Sequence, residues 1–284
     1  MRVLIHTLNT MMEGSNGIDR AALFRTYKCD LLVLGFQEMA RPPASLKNGS
    51  DKEGFLLATS SLRGVGKESF KMKNWLKGKG SRGLYTFVYA RTNKIFDTVR
   101  KVEIKKHVFN KCLTQNKSTW LRVLSRSKGY INVTVTLKTG RKISFINTHL
   151  PFERTRPDTG LSDRLRCLKQ IARRECAKSH ICFLFGDLNF RTTDAAVKLP
   201  YPFREGKIRF RHTCKMRVPR KRGAYAYDDS RPRGHCDRVL FSREDLLKVL
   251  KYASVDVHGR TDHRAVYGLF RVANKKSDAR VETR

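Results

Sequence analysis

At 284 residues and 40% hydrophobic content, the chain is long enough to bury a substantial core. Its 60 Lys and Arg against 25 Asp and Glu give a formal net charge of +35, which points to a polyanionic partner: nucleic acid, an anionic membrane face or a multiply phosphorylated substrate. The basic residues run through the whole chain, which excludes a simple nucleic-acid-binding tail, although charge alone does not separate these partners from a merely solvated basic surface.

Taken in order, residues 3–8 (VLIHTL) read as a first strand ended by Asn9. The opening residues are too short and polar for a signal peptide, and no apolar run approaches the roughly 18 residues of a membrane span. Residues 18–27 have helical spacing behind a Gly-Ser-Asn-Gly turn that is expected to cap them. A second buried strand, 31–36 (LLVLGF), is followed by Gln37 and Glu38. Residues 41–82, rich in Gly, Ser and Lys, are expected to be a long loop with a short helix at 69–76. Strands at 85–90 and 99–104 are expected to form an outer hairpin. Residues 130–137 alternate cleanly through Ile131, Val133, Val135 and Leu137, then return through a turn at 138–141 to a strand at 143–147 that leads to His149.

A helix over 161–177 leads into the stretch around which the chain is organised: five apolar residues at 181–185, then Gly186, Asp187, Leu188, Asn189. Such a run reads as a strand buried on both faces, and ligands collect beyond the carboxyl ends of strands of this kind. An extended backbone would aim Asp187 and Asn189 into one cleft, whereas a plain Asx-type turn is the competing reading. A basic segment at 204–238 contains Tyr225 and Tyr227. Strands at 238–241, 252–257 and 265–272 complete the chain, and 273–284 read as a frayed polar tail. With no linker in the interior, one domain over 1–272 is expected. The seven cysteines include no C-x-x-C pair, so neither a zinc knuckle nor a redox motif is indicated. Cys182 reads as an apolar filler, and a reducing, cytoplasmic compartment is expected.

Polar residues stand at the ends of the apolar strands: Asn9, Glu38, His149, Asp187, Asn189, Asp237, Asp262 and His263. The acids and amides are hard oxygen donors suited to Mg2+, and the histidines and Asn189 suit a phosphoryl group in flight. Together they indicate metal-assisted phosphoester hydrolysis.

On these residues the chain resembles the endonuclease/exonuclease/phosphatase superfamily, and within it the inositol polyphosphate 5-phosphatases. The stretch 185–191 (FGDLNFR) is similar to that branch's GDLNYR signature, and 236–240 (CDRVL) to the core of PAWCDRIL. Residues 205–210 followed by Thr213-Cys214-Lys215 resemble EGxIxFxPTYK. Lys128-Gly129 resembles an NKG turn and 147–150 (NTHL) the NSHL motif, while Gln37-Glu38 and Thr261-Asp262-His263 resemble the QE and SDH strand ends. The likeness runs in order over roughly residues 1–272. It departs from the pattern at His212 and Cys214, where the family has Pro and Tyr, and at Arg233 and His235, where it has Pro and Trp. Asp229 stands where many members carry Lys.

The resemblance implies an α/β four-layer sandwich: two mixed sheets face to face, helices outside, and an active site where strand ends meet. It implies Mg2+ held by Glu38, Asn9 and Asp262, and Asp187 orienting and deprotonating the attacking water with Asn189 beside it. His263, fixed by Asp237, and His149 would contact the phosphoryl oxygens from opposite walls. Lys215 and Arg231 would grip the neighbouring phosphate, with Arg191, Arg238 and Lys128 as further substrate contacts. The expected reaction is removal of the 5-phosphate from inositol polyphosphates or phosphoinositides by a monomer working on anionic membranes. The alternatives are a nuclease of the same superfamily acting on nucleic acid, and a catalytically silent lipid- or RNA-binding module.

Overall fold

The computed structural model describes residues 1–11, 18–39, 42–47, 54–63, 83–91, 98–109, 128–151, 160–191, 197–217, 226–229, 233–257 and 261–273. Two six-stranded mixed sheets carry the fold. The first contains β1 (Arg2–Asn9), β2 (Leu31–Met39), β3 (Gly54–Arg63), β4 (Gly83–Arg91), β11 (Leu247–Val255) and β12 (Ala265–Val272), in the order β11-β12-β1-β2-β4-β3. The second contains β5 (Val99–Val108), β6 (Gly129–Leu137), β7 (Lys142–His149), β8 (Ile181–Asp187), β9 (Arg204–Glu205) and β10 (Asp237–Phe241), in the order β5-β6-β7-β8-β10-β9. Within each sheet one central pair is parallel, β1 with β2 and β7 with β8. Asn9 at the end of β1 meets Asp187 at the end of β8, so all four of these strands run toward the same side of the sandwich, the side where ligands collect in open α/β sheets.

Alternation along the strands produces three apolar layers. Val3, Ile5 and Val33 of the first sheet meet Ile131, Phe145 and Phe183 of the second in the central layer. There Phe183 stacks on Phe145 with ring centroids 5.7 Å apart and reaches across to Phe270 of β12 at 4.9 Å. The opposite faces are covered by helices. Phe24 of α1 (Arg20–Tyr27) packs with Leu4, Leu32 and Phe87, and Leu46 of α2 (Ala44–Lys47) joins the same cluster. On the second sheet, Cys167, Leu168 and Ile171 of α3 (Gly160–Arg174) cover Ile146, Leu184 and Leu240. This is the four-layer arrangement that the resemblance implied. Among the described residues no helix is long and apolar enough to cross a membrane.

Several local expectations need correction. The strands over 85–90 and 99–104 do not form a hairpin: β4 lies between β2 and β3 in the first sheet, and β5 edges the second beside β6. The stretch expected to be a long loop contains β3 and α2, while the helix expected at 69–76 lies outside the described residues. Helix α1 is capped by Asp19, whose side chain accepts a hydrogen bond from the Ala22 N–H at 3.0 Å. Cys182 is not a free filler thiol, since it is bonded to Cys176 just past the end of α3.

Candidate active site

The polar strand ends converge where the two sheets meet. At this end the apolar central layer gives way to an amide network, in which Gln37 Nε2 donates to Thr7 Oγ1 (3.0 Å) and to Asn147 Oδ1 (2.7 Å). Asn147 Nδ2 in turn donates to the Tyr85 carbonyl at 2.7 Å, so the sheets are tied by directional bonds directly beneath the site.

Asp187 is the hub. Its carboxylate is 2% exposed and accepts from Asn9 Nδ2 (3.0 Å) and from the Asn189 backbone N–H (2.9 Å), with His149 Nε2 at 3.3 Å. Burial alone would raise its pKa, but the hydrogen bond from His149 and the charges of His263 and Lys128 prevail and hold the carboxyl well below the usual range. The loop after β8 is set by backbone rather than by strand alternation. Asn189 is left-handed (φ 53°), its N–H closes an Asx turn on Asp187, and its Nδ2 donates to the Leu150 carbonyl at 2.8 Å. The extended geometry expected for this pair is thus incorrect, and the turn and the shared site coexist. Gly186 is required here: at φ 135° its position leaves 1.9 Å between an added Cβ and the Thr148 carbonyl oxygen.

From the facing sheet, Glu38 comes within 3.9 Å of the same His149 Nε2. It sits at a bulge in the β2–β4 pairing with φ 54°, a conformation costing a non-glycine residue roughly 1–2 kcal/mol, and the bulge re-aims its side chain. The carboxylates of Glu38 and Asp187, carried by different sheets, therefore address one imidazole. Lys128 Nζ also contacts His149 Nε2. Desolvation lowers the Lys128 pKa to about 8, partly opposed by Glu38 and Asp187, and burial together with the Lys128 charge lowers that of His149.

The opposite wall carries a second pair. His263, 1% exposed, holds Asp237 Oδ2 through Nδ1 at 2.7 Å and directs Nε2 toward Asp262 Oδ1 at 3.5 Å. Burial would lower the His263 pKa, but the Asp237 carboxylate overrides it and lifts the value to about 9, so this imidazole is cationic at neutral pH. Asp262 also pairs with Lys215, and the His263 and Lys215 charges outweigh burial to keep its carboxyl below the ordinary value. Hydroxyls that sequence reading passed over hold this wall in place. Thr213 Oγ1 accepts from the Asp237 N–H (3.0 Å), and Thr261 Oγ1 accepts from the His263 N–H (3.1 Å) while donating to the Asn9 carbonyl (2.6 Å).

The chain belongs to the endonuclease/exonuclease/phosphatase family. The model for "Endonuclease/Exonuclease/phosphatase family 2" matches residues 6–200. Among solved structures it is similar to the inositol polyphosphate 5-phosphatase domain of SpSynaptojanin in complex with inositol (1,4)-bisphosphate and calcium, with 18% identity, 95% of this chain and 83% of that one covered, and a TM-score of 0.62. D. rerio TDP2 in complex with a single-strand DNA product aligns at 17% identity over 95% of this chain and 99% of that one, TM-score 0.52. A nitrophorin of Cimex, as a ferrous NO complex of its A21V mutant, aligns at 16% identity over 96% and 98%, TM-score 0.60. No curated protein matches the sequence. At these identities the solved structures establish a shared fold and nothing finer.

Within this family frame, Asn9, Glu38, Lys128, His149, Asp187, Asn189, Lys215, Asp237, Asp262 and His263 are all linked at the junction of the sheets. Arg191 reaches it indirectly, donating to Asn189 Oδ1 (3.2 Å) and contacting Cys214 Sγ (3.8 Å). Arg238 does not belong to it. That side chain is fully buried on the other face of β10, where Nη1 donates to Glu205 Oε2 at 2.8 Å and Nε to the His235 carbonyl at 2.8 Å. The expectation that Arg238 binds substrate is therefore incorrect. Arg231 lies outside the described residues.

Among the described residues, no three His, Cys, Asp or Glu side chains gather into a ligand cage. Mg2+ needs only one or two carboxylates from a protein, and Glu38, Asn9 and Asp262 carry the hard oxygen donors that suit such an ion.

Proposed function

We propose that the protein is a Mg2+-dependent phosphomonoesterase that removes the 5-phosphate from inositol polyphosphates or phosphoinositides. The observation that carries this reading is the meeting of Glu38 and Asp187, from opposite sheets, at His149, with the Asp237–His263 pair across the cleft. Glu38, aided by Asn9 and Asp262, would hold the ion. When bound, the metal would supply Lewis-acid neutralisation of phosphoryl charge. Asp187, kept ionised by its hydrogen bonds, orients the attacking water in line with phosphorus and takes its proton as the bond forms. His263, as a cation, donates from Nε2 to a non-bridging oxygen, and His149 meets the phosphoryl group from the other side. Lys215 exchanges Asp262 for the adjacent phosphate when substrate enters. The +35 charge would hold the enzyme at an anionic membrane, each well-placed Lys or Arg contributing about 1 kcal/mol.

A second reading is a phosphodiesterase acting on nucleic acid. It is favoured by the similarity to the DNA-bound TDP2 structure and by a charge suited to a phosphate backbone. One panel separates the readings: inositol polyphosphates, short-chain phosphoinositides and single-stranded DNA, each with Mg2+ and each repeated with Asp187→Ala. Phosphate release from inositol substrates that is lost in the variant supports the 5-phosphatase. Cleavage of DNA alone, lost in the same variant, replaces it with the nuclease. No turnover of any substrate leaves a binding module on a hydrolase fold.

A further inference from the structure

We propose that Gln37 and Asn147 are positioning residues: their buried amide pair fixes how far apart the two sheets stand at the site, and so where Glu38 lies relative to Asp187 and His149. This role presupposes the phosphoesterase chemistry proposed above. In the central layer the residues that face inward are apolar until one rung before the site. At that rung Thr7, Gly35 and Thr86 lie side by side across β1, β2 and β4, and Asn147 of β7 reaches them from the other sheet. Gly35 clears the way, since a Cβ there would run into the Phe185 ring and lie 3.0 Å from Asn147 Cγ. Two residues further along β1 and β7, the same faces present Asn9 and His149.

Thr7, Gln37, Thr86 and Asn147 are fully buried, and their hydrogen bonds have one orientation. A backbone carbonyl only accepts, so Asn147 turns its nitrogen to the Tyr85 oxygen (2.7 Å) and to Thr86 Oγ1 (3.2 Å), which leaves its Oδ1 for Gln37. Gln37 must answer with its own nitrogen, at 2.7 Å, and that nitrogen also reaches Thr7 Oγ1. One series of donors thus runs from β2 through β7 of the facing sheet and back to β4.

Apolar contacts at this rung would also hold the sheets together, but without direction. Hydrogen bonds weaken steeply with angle and distance, so the amide pair specifies a separation. Glu38 needs such a fixed point. The β2–β4 register shifts between Phe36 and Met39, so pairing with β4 does not hold Glu38, and the residue immediately before it is Gln37.

The test compares the full chain with Gln37→Met, Asn147→Leu and the double variant, in which both amides become apolar groups of similar shape. Urea midpoints report stability, and initial rates on the ester that the wild type cleaves best report kcat and KM. The MgCl2 concentration giving half of the Mg2+-induced rise in Tm reports ion binding without turnover. Each single variant should lower kcat at least about tenfold with KM within a few-fold, and should raise the MgCl2 midpoint about tenfold. The double variant should recover much of the urea midpoint that the single variants lose, because neither amide is left facing an apolar side chain, while kcat and the MgCl2 midpoint stay impaired. Recovery of stability and kcat together, or a folded single variant with the wild-type kcat and MgCl2 midpoint, overturns the proposal. A wild type that cleaves no ester refutes the phosphoesterase reading instead, and the MgCl2 midpoints then decide on the amide pair. Absence of any Mg2+ response as well refutes both.

Discussion

His6 offers a quantitative test of how the first sheet is buried. It lies on β1 opposite Leu34 and Tyr267, and alternation places it on the outer face with Leu4 and Leu8. The side chain is 8% exposed and its Nδ1 has no hydrogen-bond partner among the described residues. Desolvation accordingly lowers its pKa to about 4, against about 6.5 in the unfolded chain. Between those values the unfolded chain binds the extra proton. Stability present above about pH 6.5 is therefore lost as pH falls, and the loss is complete below about pH 4. The full shift corresponds to roughly 3.4 kcal/mol, of which about 2 kcal/mol is already lost at pH 5. Urea melts of the wild type and of His6→Leu at pH 8 and pH 5, read by far-UV circular dichroism, give the comparison. The wild type should lose about 2 kcal/mol more than the variant over this interval. Equal losses would mean that the imidazole protonates freely in the folded protein, and that its burial contributes nothing to acid sensitivity.

Glu38→Gln should raise the Mg2+ concentration for half-maximal activity at least about tenfold, read from initial rates on the preferred phosphate ester; an unchanged requirement would remove Glu38 from the metal site. Asp237→Asn should lower kcat at pH 7 by about a hundredfold or more while leaving KM within a few-fold, since it deprives His263 of the carboxylate that sustains its cation. Gly186→Ala should destabilise the protein by roughly 3 kcal/mol or more in denaturant melts, because the new methyl group meets the Thr148 carbonyl. Arg238→Met should cost about 3–5 kcal/mol of stability by stranding Glu205, and the double change with Glu205→Gln should recover much of it, whereas a rise in KM with unchanged stability would restore Arg238 to the substrate site.

The central strands and the site were the most legible parts of the sequence, for one physical reason. Strands buried on both faces, such as β2 and β8, are continuous apolar runs, so a polar residue at their ends stands out, as Glu38 and Asp187 do. Partnering was harder to read. Strands 85–90 and 99–104 are neighbours in sequence, but β4 is buried along nearly its whole length while β5 is half exposed; that contrast distinguishes a sheet interior from an edge. Strand β3 escaped notice because Thr59, Ser60 and Ser61 interrupt its apolar pattern. Arg238 could have been excluded from the site by alternation alone, since the residue after Asp237 on a strand faces the opposite way. Thr213, Thr261 and Gln37 carry no chemistry of their own, and only the fold reveals what their side chains hold. The Cys176–Cys182 bond depends on the turn between α3 and β8, which spacing without a C-x-x-C pattern does not disclose.

The seam between the sheets has a consequence for how the molecule fails. Neither half owns the whole candidate site: Asn9 and Glu38 ride on one, His149, Asp187 and Asp237 on the other, and aromatic rings such as Phe183 and Phe270 pack in the gap that separates them. Loosening that interlayer by a fraction of an ångström would misalign the two contingents while every strand kept its neighbours. Heat or a cavity in the mid-plane should thus silence turnover before spectroscopy detects any melting, and the activity serves as a caliper for the spacing of the two layers.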